Sequence, residues 1–372
     1  MGIHPPLISE SVPSKSRKAS SGFLFGNLRS FRQFGCSISN SFILLRFHIE
    51  LFDGNNGGMN SAIIPALKQS WIIAGPTASG KSDLAMALAA KTAGEIVAVD
   101  SMTLFRGLDI GTAKPSHEER KLIPHHLIDV FEPSDSSNVA DWIDKCRQAL
   151  DIILNRGRTP ILCGGTGLYW KALFFGLPKH PPGSFDVREK LGNMLESNGM
   201  EALHRKLAEV DPYAASRIAR TDARRLIRAL EVWEITGKPI SDNRPDWHAT
   251  IDVRPEPPAR WIWLKWPREI LHNRIAKRVI RMFSQGWEAE VAKLEERCEF
   301  GPQSGAAIGY KTIRQAKKKG ASQEELIKLV EIETRQFAKR QETWFRSLPM
   351  IEPFAMDAAV DFEKLAEKLL GF

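Results

Sequence analysis

The chain has 372 residues, 43% of them hydrophobic, with a formal net charge of +8 and a pI near 9.3. That length suits two compact units with cores of their own, and no apolar run is long enough to cross a bilayer. The four cysteines, Cys36, Cys146, Cys163 and Cys298, are scattered with no paired metal-ligand spacing; a soluble, reduced cytoplasmic protein is expected, with a mild bias towards a polyanionic partner.

Residues 1–60 stand apart. A Ser/Lys/Arg stretch at 14–21 and a Gly/Asn cluster at 54–58 read as an unstructured leader, a targeting segment, or an extended gene start with Met59 as the true initiator. From about residue 66 an α/β pattern begins. Trp71-Ile72-Ile73-Ala74 reads as a strand, and Leu84, Ala85, Leu88 and Ala89 mark one face of a helix. Between them lies Gly75-Pro76-Thr77-Ala78-Ser79-Gly80-Lys81-Ser82, a G-x-x-x-x-G-K-S loop. In that context the glycines let backbone amides form an anion nest at a helix N-terminus, Lys81 supplies a charge for a terminal phosphate, and the Ser82 hydroxyl can ligate Mg²⁺. The loop alone does not say which phosphate is bound or what happens to it.

A second strand, 95–99, ends at Asp100. A carboxylate there can take a proton or hold Mg²⁺ through water, or it can simply cap a helix. His125-His126 invites a metal reading, but adjacent side chains point apart. A helix over 139–155 leads to a third strand, 160–163, which ends in Gly164-Gly165-Thr166-Gly167. This is either a second anion-binding turn or a bare glycine turn, and its strand carries no acid of the kind a P-loop hydrolase places there. Strands alternating with helices imply a parallel sheet, with ligands beyond the strands' carboxyl ends.

A proline-rich break at 177–183 precedes a helical, charged stretch running to about residue 237, and a second break covers 238–258. Within the stretch, Arg217, Arg220, Arg224, Arg225 and Arg228 line either a phosphate backbone or a solvated face. Residues 261–266 read as a strand that rejoins the sheet. The expected organisation is therefore a P-loop NTPase-like α/β core (66–178 plus 259–350), a helical insertion domain (179–258), long C-terminal helices, and a tail helix (351–372). Residues 307–311 place an aromatic, Tyr310, beside a base, which suits nucleotide stacking or an ordinary turn. In a helix over 322–345, Arg335 and Lys339 share a face that can meet diphosphate, nucleic acid or solvent.

The order of these motifs resembles the tRNA dimethylallyltransferase (tRNA isopentenyltransferase) family of the bacterial type, over about residues 72–346. The likeness rests on GPTASGKS (75–82), DSMTLFRGLDIGTAKP (100–115), PHHLID (124–129), GGTGLY (164–169), DARRLIRALEVWEITGKP (222–239), AIGYK (307–311) and TRQFAKRQETW (334–344). The resemblance implies an enzyme that moves the dimethylallyl group from dimethylallyl diphosphate to N6 of the adenosine just 3′ of the tRNA anticodon, releasing diphosphate. It implies that residues 75–82 hold the donor with Mg²⁺ near Ser82, that Asp100 accepts the N6 proton, and that Thr166 lies at the reaction channel. It further implies that Asp100, Ser101, Met102 and Thr103 contact the target base. Arg188 and the stretch Arg224, Arg225, Leu226, Ile227 and Arg228 would contact tRNA; Arg335, with Lys339 on its face, is a weaker site candidate, for neutralising the diphosphate. Many relatives have Gln-Val-Tyr where this chain has Thr103-Leu104-Phe105, so position 103 loses an amide. A monomer is expected. Two other classes fit parts of the pattern: a P-loop kinase of a small molecule, and a nucleotide-switched RNA-binding protein without chemistry.

Overall fold

The computed structural model describes residues 63–243, 261–357 and 360–371. The leader, the Met59 start and positions 244–260 of the second break lie outside these residues. Among them, β1 (Trp71–Ala74), β2 (Gly94–Val99), β3 (His125–His126), β4 (Thr159–Gly164), β5 (Trp261–Lys265) and β6 (Glu352–Ala355) form one sheet in the order β3-β2-β4-β1-β5-β6. All five pairings are parallel. Every residue of β1 and β2 is buried, because helices cover both faces of a parallel sheet.

The core helices are α1 (Ile64–Lys68), α2 (Lys81–Thr92), α3 (His117–Leu122), α4 (Val139–Asn155) and α5 (Gly167–Phe175). Then α6 (Phe185–Val210), α7 (Pro212–Arg217) and α8 (Ala223–Thr236) precede β5, and α9 (Arg268–Ser284), α10 (Trp287–Arg297), α11 (Tyr310–Lys317), α12 (Gln323–Arg346) and α13 (Phe362–Leu370) follow it. The α4 helix illustrates how the sequence specifies them. Asn138 caps it by accepting from the amides of Ala140 (2.9 Å) and Asp141 (3.0 Å), and Trp142, Ile143, Cys146, Ala149, Leu150 and Ile153 form its buried stripe. In α12, Ser322 and Glu325 make a reciprocal capping box.

Helices α6 to α8 have a hydrophobic cluster of their own, including Leu191, Leu203, Leu207, Leu226 and Leu230. The segment 351–372, expected as a tail helix, also supplies the edge strand β6, so that expectation is corrected: Ile262 to Lys265 of β5 pair with Glu352 to Ala355.

Strand order positions the site. β4 lies between β1 and β2, with Ala74 and Val99 both in register with Gly164. The loops beginning at Gly75, Gly165 and Asp100 therefore leave the same edge side by side. With strands ~4.8 Å apart, the outer two loops start roughly 10 Å from one another.

Candidate active site

The P-loop opens at Gly75, where an added Cβ would stand 2.6 Å from the Ser79 hydroxyl oxygen. Ala78 (φ 62) and Gly80 (φ 85) take left-handed conformations, the geometry that turns successive amides towards an anion. The first α2 bond in the loop runs from the Leu84 amide to the Gly80 carbonyl at 3.1 Å, so the amides of Lys81, Ser82 and Asp83 have no intrahelical acceptor. Two carbonyls are held from behind: Arg274 Nε donates to Ala78 O (2.8 Å) and Trp266 Nε1 to Ser79 O (2.9 Å). The Arg274 guanidinium lies 4.4 Å from the Trp266 ring centre.

Lys81 Nζ donates to Pro76 O at 3.4 Å. Burial pushes its pKa down; Cys163, Asp100 and Asp83 oppose that, and Arg278 adds to it. Arg278 is also lowered by burial, with Asp100 and Asp83 as its opposing charges, and it forms no hydrogen bond or ion pair with a described residue. Two half-buried cations beside an amide nest make a site for a polyanion. The neighbouring Cys163 thiol is pushed up to about 12 by burial, so it stays protonated and is no nucleophile at neutral pH.

On the other side of β4, Asp100 does not cap a helix. Its Oδ1 accepts from the amides of Met102 (2.8 Å) and Thr103 (3.3 Å), closing an Asx turn, and its Oδ2 accepts nothing from a described residue. The Thr166 hydroxyl does not cap α5; it accepts from the Ser101 amide at 3.2 Å and so ties the GGTG turn to the Asp100 loop. Thr103 is only 8% exposed and its hydroxyl has no partner. The loop's far end is fixed by Lys114, whose buried ammonium donates to Phe105 O (2.7 Å), Asp109 (2.7 Å) and Asp129 (2.6 Å). Glu290 accepts from the amides of Asp109 (3.2 Å) and Ile110 (2.8 Å). Tyr310 is fully buried; its hydroxyl donates to Glu290 (2.5 Å) and accepts from the Gly111 amide (3.1 Å). It braces this loop and is not free to stack on a nucleotide.

Sequence reasoning missed three side chains. Arg274 and Arg278 carry a readable signal, arginines one turn apart on the helix after β5. Gln341 carries almost none. It is 3% exposed, accepts from the Thr77 amide (2.8 Å) and donates to Gly165 O (3.0 Å). Arg335 pairs with Glu331 on its own helix and is not among the charges acting on Lys81, while Lys339 is exposed. His126 Nε2 sits 2.7 Å from Glu95, and no cluster of three ligating side chains occurs among the described residues.

The insertion's arginines divide into two groups. Arg188 and Arg228 both pair with the fully buried Glu231, at 2.7 and 2.5 Å. Burial alone would raise the Glu231 pKa, but Arg228, Arg188 and the Ser184 amide outweigh it and hold it low. Leu226 is fully buried in the insertion's cluster, so its side chain is not at the surface, and the partly buried Ile227 packs against the same cluster. Arg217, Arg220, Arg224 and Arg225 are exposed.

Residues 103–348 match the family model described as IPP transferase, and residues 68–128 the one described as isopentenyl transferase. The chain is 43% identical over 278 residues to a tRNA dimethylallyltransferase of Geobacter metallireducens, covering 74% of this chain and 88% of that protein. It is 40% identical over 322 residues to the Geobacter sulfurreducens protein of the same name, covering 86% and 100%. Among solved structures, the full-length tRNA isopentenylpyrophosphate transferase of Bacillus halodurans superposes with a TM-score of 0.57 at 38% identity, covering 81% of this chain and 94% of that one. A eukaryotic dimethylallyltransferase captured acting on tRNA gives 0.60 at 27%, covering 77% and 73%.

Proposed function

The chain belongs to the tRNA dimethylallyltransferase family, and on that premise we propose that it transfers the dimethylallyl group of dimethylallyl diphosphate to N6 of the adenosine immediately 3′ of the anticodon in tRNA. The observation that carries the reading is the pairing of two strand-end loops across β4: a cationic nest on one side, and on the other a carboxylate with one oxygen anchored and the second unengaged. The exocyclic N6 attacks the allylic carbon, the carbon–oxygen bond to diphosphate breaks, and the N6 proton passes to Asp100 Oδ2. An exocyclic amine is a weak nucleophile because its lone pair is delocalised into the ring. Proton acceptance by a positioned base contributes roughly 10²–10⁴ in rate.

Lys81, Arg278 and the free amides of the loop neutralise the departing diphosphate, where fixed charges in a desolvated site act most strongly. The donor set suits Mg²⁺. Ser82 is exposed beside the nest, and Mg²⁺ binds through few protein ligands together with substrate phosphates and water. Ser82 would hold the ion, which supplies further charge neutralisation on the diphosphate. The target base has to leave its stack to reach Asp100, and Ser101, Met102 and Thr166 frame the place where it arrives, whereas Thr103 is buried beneath it.

Incubation with labelled dimethylallyl diphosphate and unmodified tRNA tests the reading. Label in N6 of the tRNA adenosine is expected, and ATP-dependent phosphorylation of a small acceptor would favour a kinase instead. Asp100→Ala should retain tRNA binding and lose at least about a hundredfold in turnover. Equal turnover would remove Asp100 as the base.

A further inference from the structure

We propose that Gln341 is a positioning residue that sets the spacing between donor and acceptor in this reaction, an inference that rests on the prenyl-transfer reading above. The P-loop fixes the diphosphate, and the Thr166 hydroxyl fixes the Asp100 loop to the GGTG turn through the Ser101 amide, at 3.2 Å. Strand pairing brings the two loops to one edge of the sheet, and Gln341 is the side chain that links them beyond it. From α12 it accepts from the Thr77 amide at 2.8 Å and donates to the Gly165 carbonyl at 3.0 Å, at 3% exposure. The result is one hydrogen-bonded path, Thr77–Gln341–Gly165–Thr166–Ser101–Asp100, across the ends of β1, β4 and β2.

The chemistry of the partners dictates the residue. The Thr77 amide can only donate and the Gly165 carbonyl can only accept, so the group that bridges them must accept at one end and donate at the other, which a carboxamide does. The approach is close: a Cβ on Gly165 would lie 2.2 Å from Gln341 Nε2 and 3.1 Å from Gly75 O. One turn further along α12, Trp344 packs on Gly167, where a Cβ would be 2.3 Å from the indole Cγ. The α12 helix thus lays two side chains on the turn that carries Thr166. Reacting atoms must stand about 3–3.5 Å apart, and a misplacement of about 1 Å costs on the order of 10² in rate.

Two substitutions in the full-length protein test this. Gln341→Met keeps the length and removes both bonds; Gln341→Glu, assayed across a pH series, keeps the acceptor for Thr77 and in its ionised form has no donor for Gly165. Single-turnover transfer to tRNA, binding of inorganic diphosphate, tRNA affinity and melting midpoint are measured for each beside the wild type. Both variants should slow single turnover by about 10²-fold, with tRNA affinity unchanged and, in Gln341→Met, diphosphate binding retained. A Gln341→Met protein that turns over like the wild type overturns the proposal. So does one in which rate, diphosphate binding and melting midpoint decline together, because that is the signature of a merely structural side chain. If Gln341→Met does not fold, Gln341→Glu decides alone: it retains the Thr77 bond, and wild-type single turnover in it overturns the link. A wild type that transfers no prenyl group refutes the underlying reading instead, so the two failures are told apart in one assay.

Discussion

The Thr103 side chain poses a problem of its own. It is 8% exposed, its hydroxyl bonds nothing, and it sits three residues from the proposed base. An unsatisfied buried hydroxyl costs about 1–3 kcal/mol. Thr103→Val keeps the branched shape and removes the orphan, so thermal or urea unfolding should show a gain of about 1 kcal/mol. Because the hydroxyl is sealed from solvent, tRNA affinity should not change; a fall in affinity would return Thr103 to the base-contacting set. Legibility at this scale follows chain distance. Lys81 and Asp100 stand in local motifs whose chemistry is visible in a few residues. Gln341 acts on partners 264 and 176 positions away, and as one polar residue among the many of α12 it says nothing until the helix is placed. The roles of Arg188 and Arg228 could not be read from the motif either: Arg228 stands three residues from Glu231, but nothing local says that Glu231 is buried, and Arg188 reaches it from 43 positions away.

Secondary structure was readable where a pattern was long. The stretch 139–155 has a cap and an apolar stripe over four turns, and it is α4. The β6 strand has four residues with Pro353 inside, and its side chains are half or fully exposed, so neither alternation nor propensity marks it. It forms because a proline is tolerated at a sheet edge and β5 offers its free side. That strand leads to α13, whose role is equally hidden. Phe362 at its start lies against the P-loop: a Cβ on Gly80 would be 2.0 Å from the ring's Cζ. Lys91 of α2 pairs with Glu363 (3.3 Å) and Glu367 (3.0 Å), exposed pairs worth little beside the ring packing. The α13 helix therefore backs the loop where Gly80 must hold φ 85. Phe362→Ala should loosen that loop and raise KM for dimethylallyl diphosphate more than it lowers kcat, as steady-state kinetics would register. An unchanged KM would make α13 a strut for α2 alone.

For the molecule as a whole, the net charge of +8 matters less than where it is exposed; even there Arg220 pairs with Glu201 and Arg225 with Asp222, in solvated pairs that a phosphate can replace. In the insertion, Arg188 and Arg228 are committed to Glu231, whereas Arg217, Arg220, Arg224 and Arg225 point outward. The two groups should fail differently. Every phosphate that the protein no longer neutralises lowers the slope of log affinity against log salt by about 0.7–0.9. Replacing the four exposed arginines by Gln should weaken tRNA binding, flatten its salt dependence and leave the melting midpoint in place. Replacing Arg188 or Arg228 by Ala strands a buried carboxylate and should destabilise the insertion first. The pH dependence follows from the sign of the Glu231 shift. Its folded pKa lies below the ordinary value of 4.5, so its stabilisation is fully present above that pH and disappears as pH falls through the folded value. Acid unfolding should therefore begin at higher pH in Arg228→Ala than in the wild type, while the fourfold Gln variant unfolds with the wild type. Circular dichroism across an acid titration separates the cases, and coincident curves for all three proteins would mean that Glu231 does not hold the insertion together.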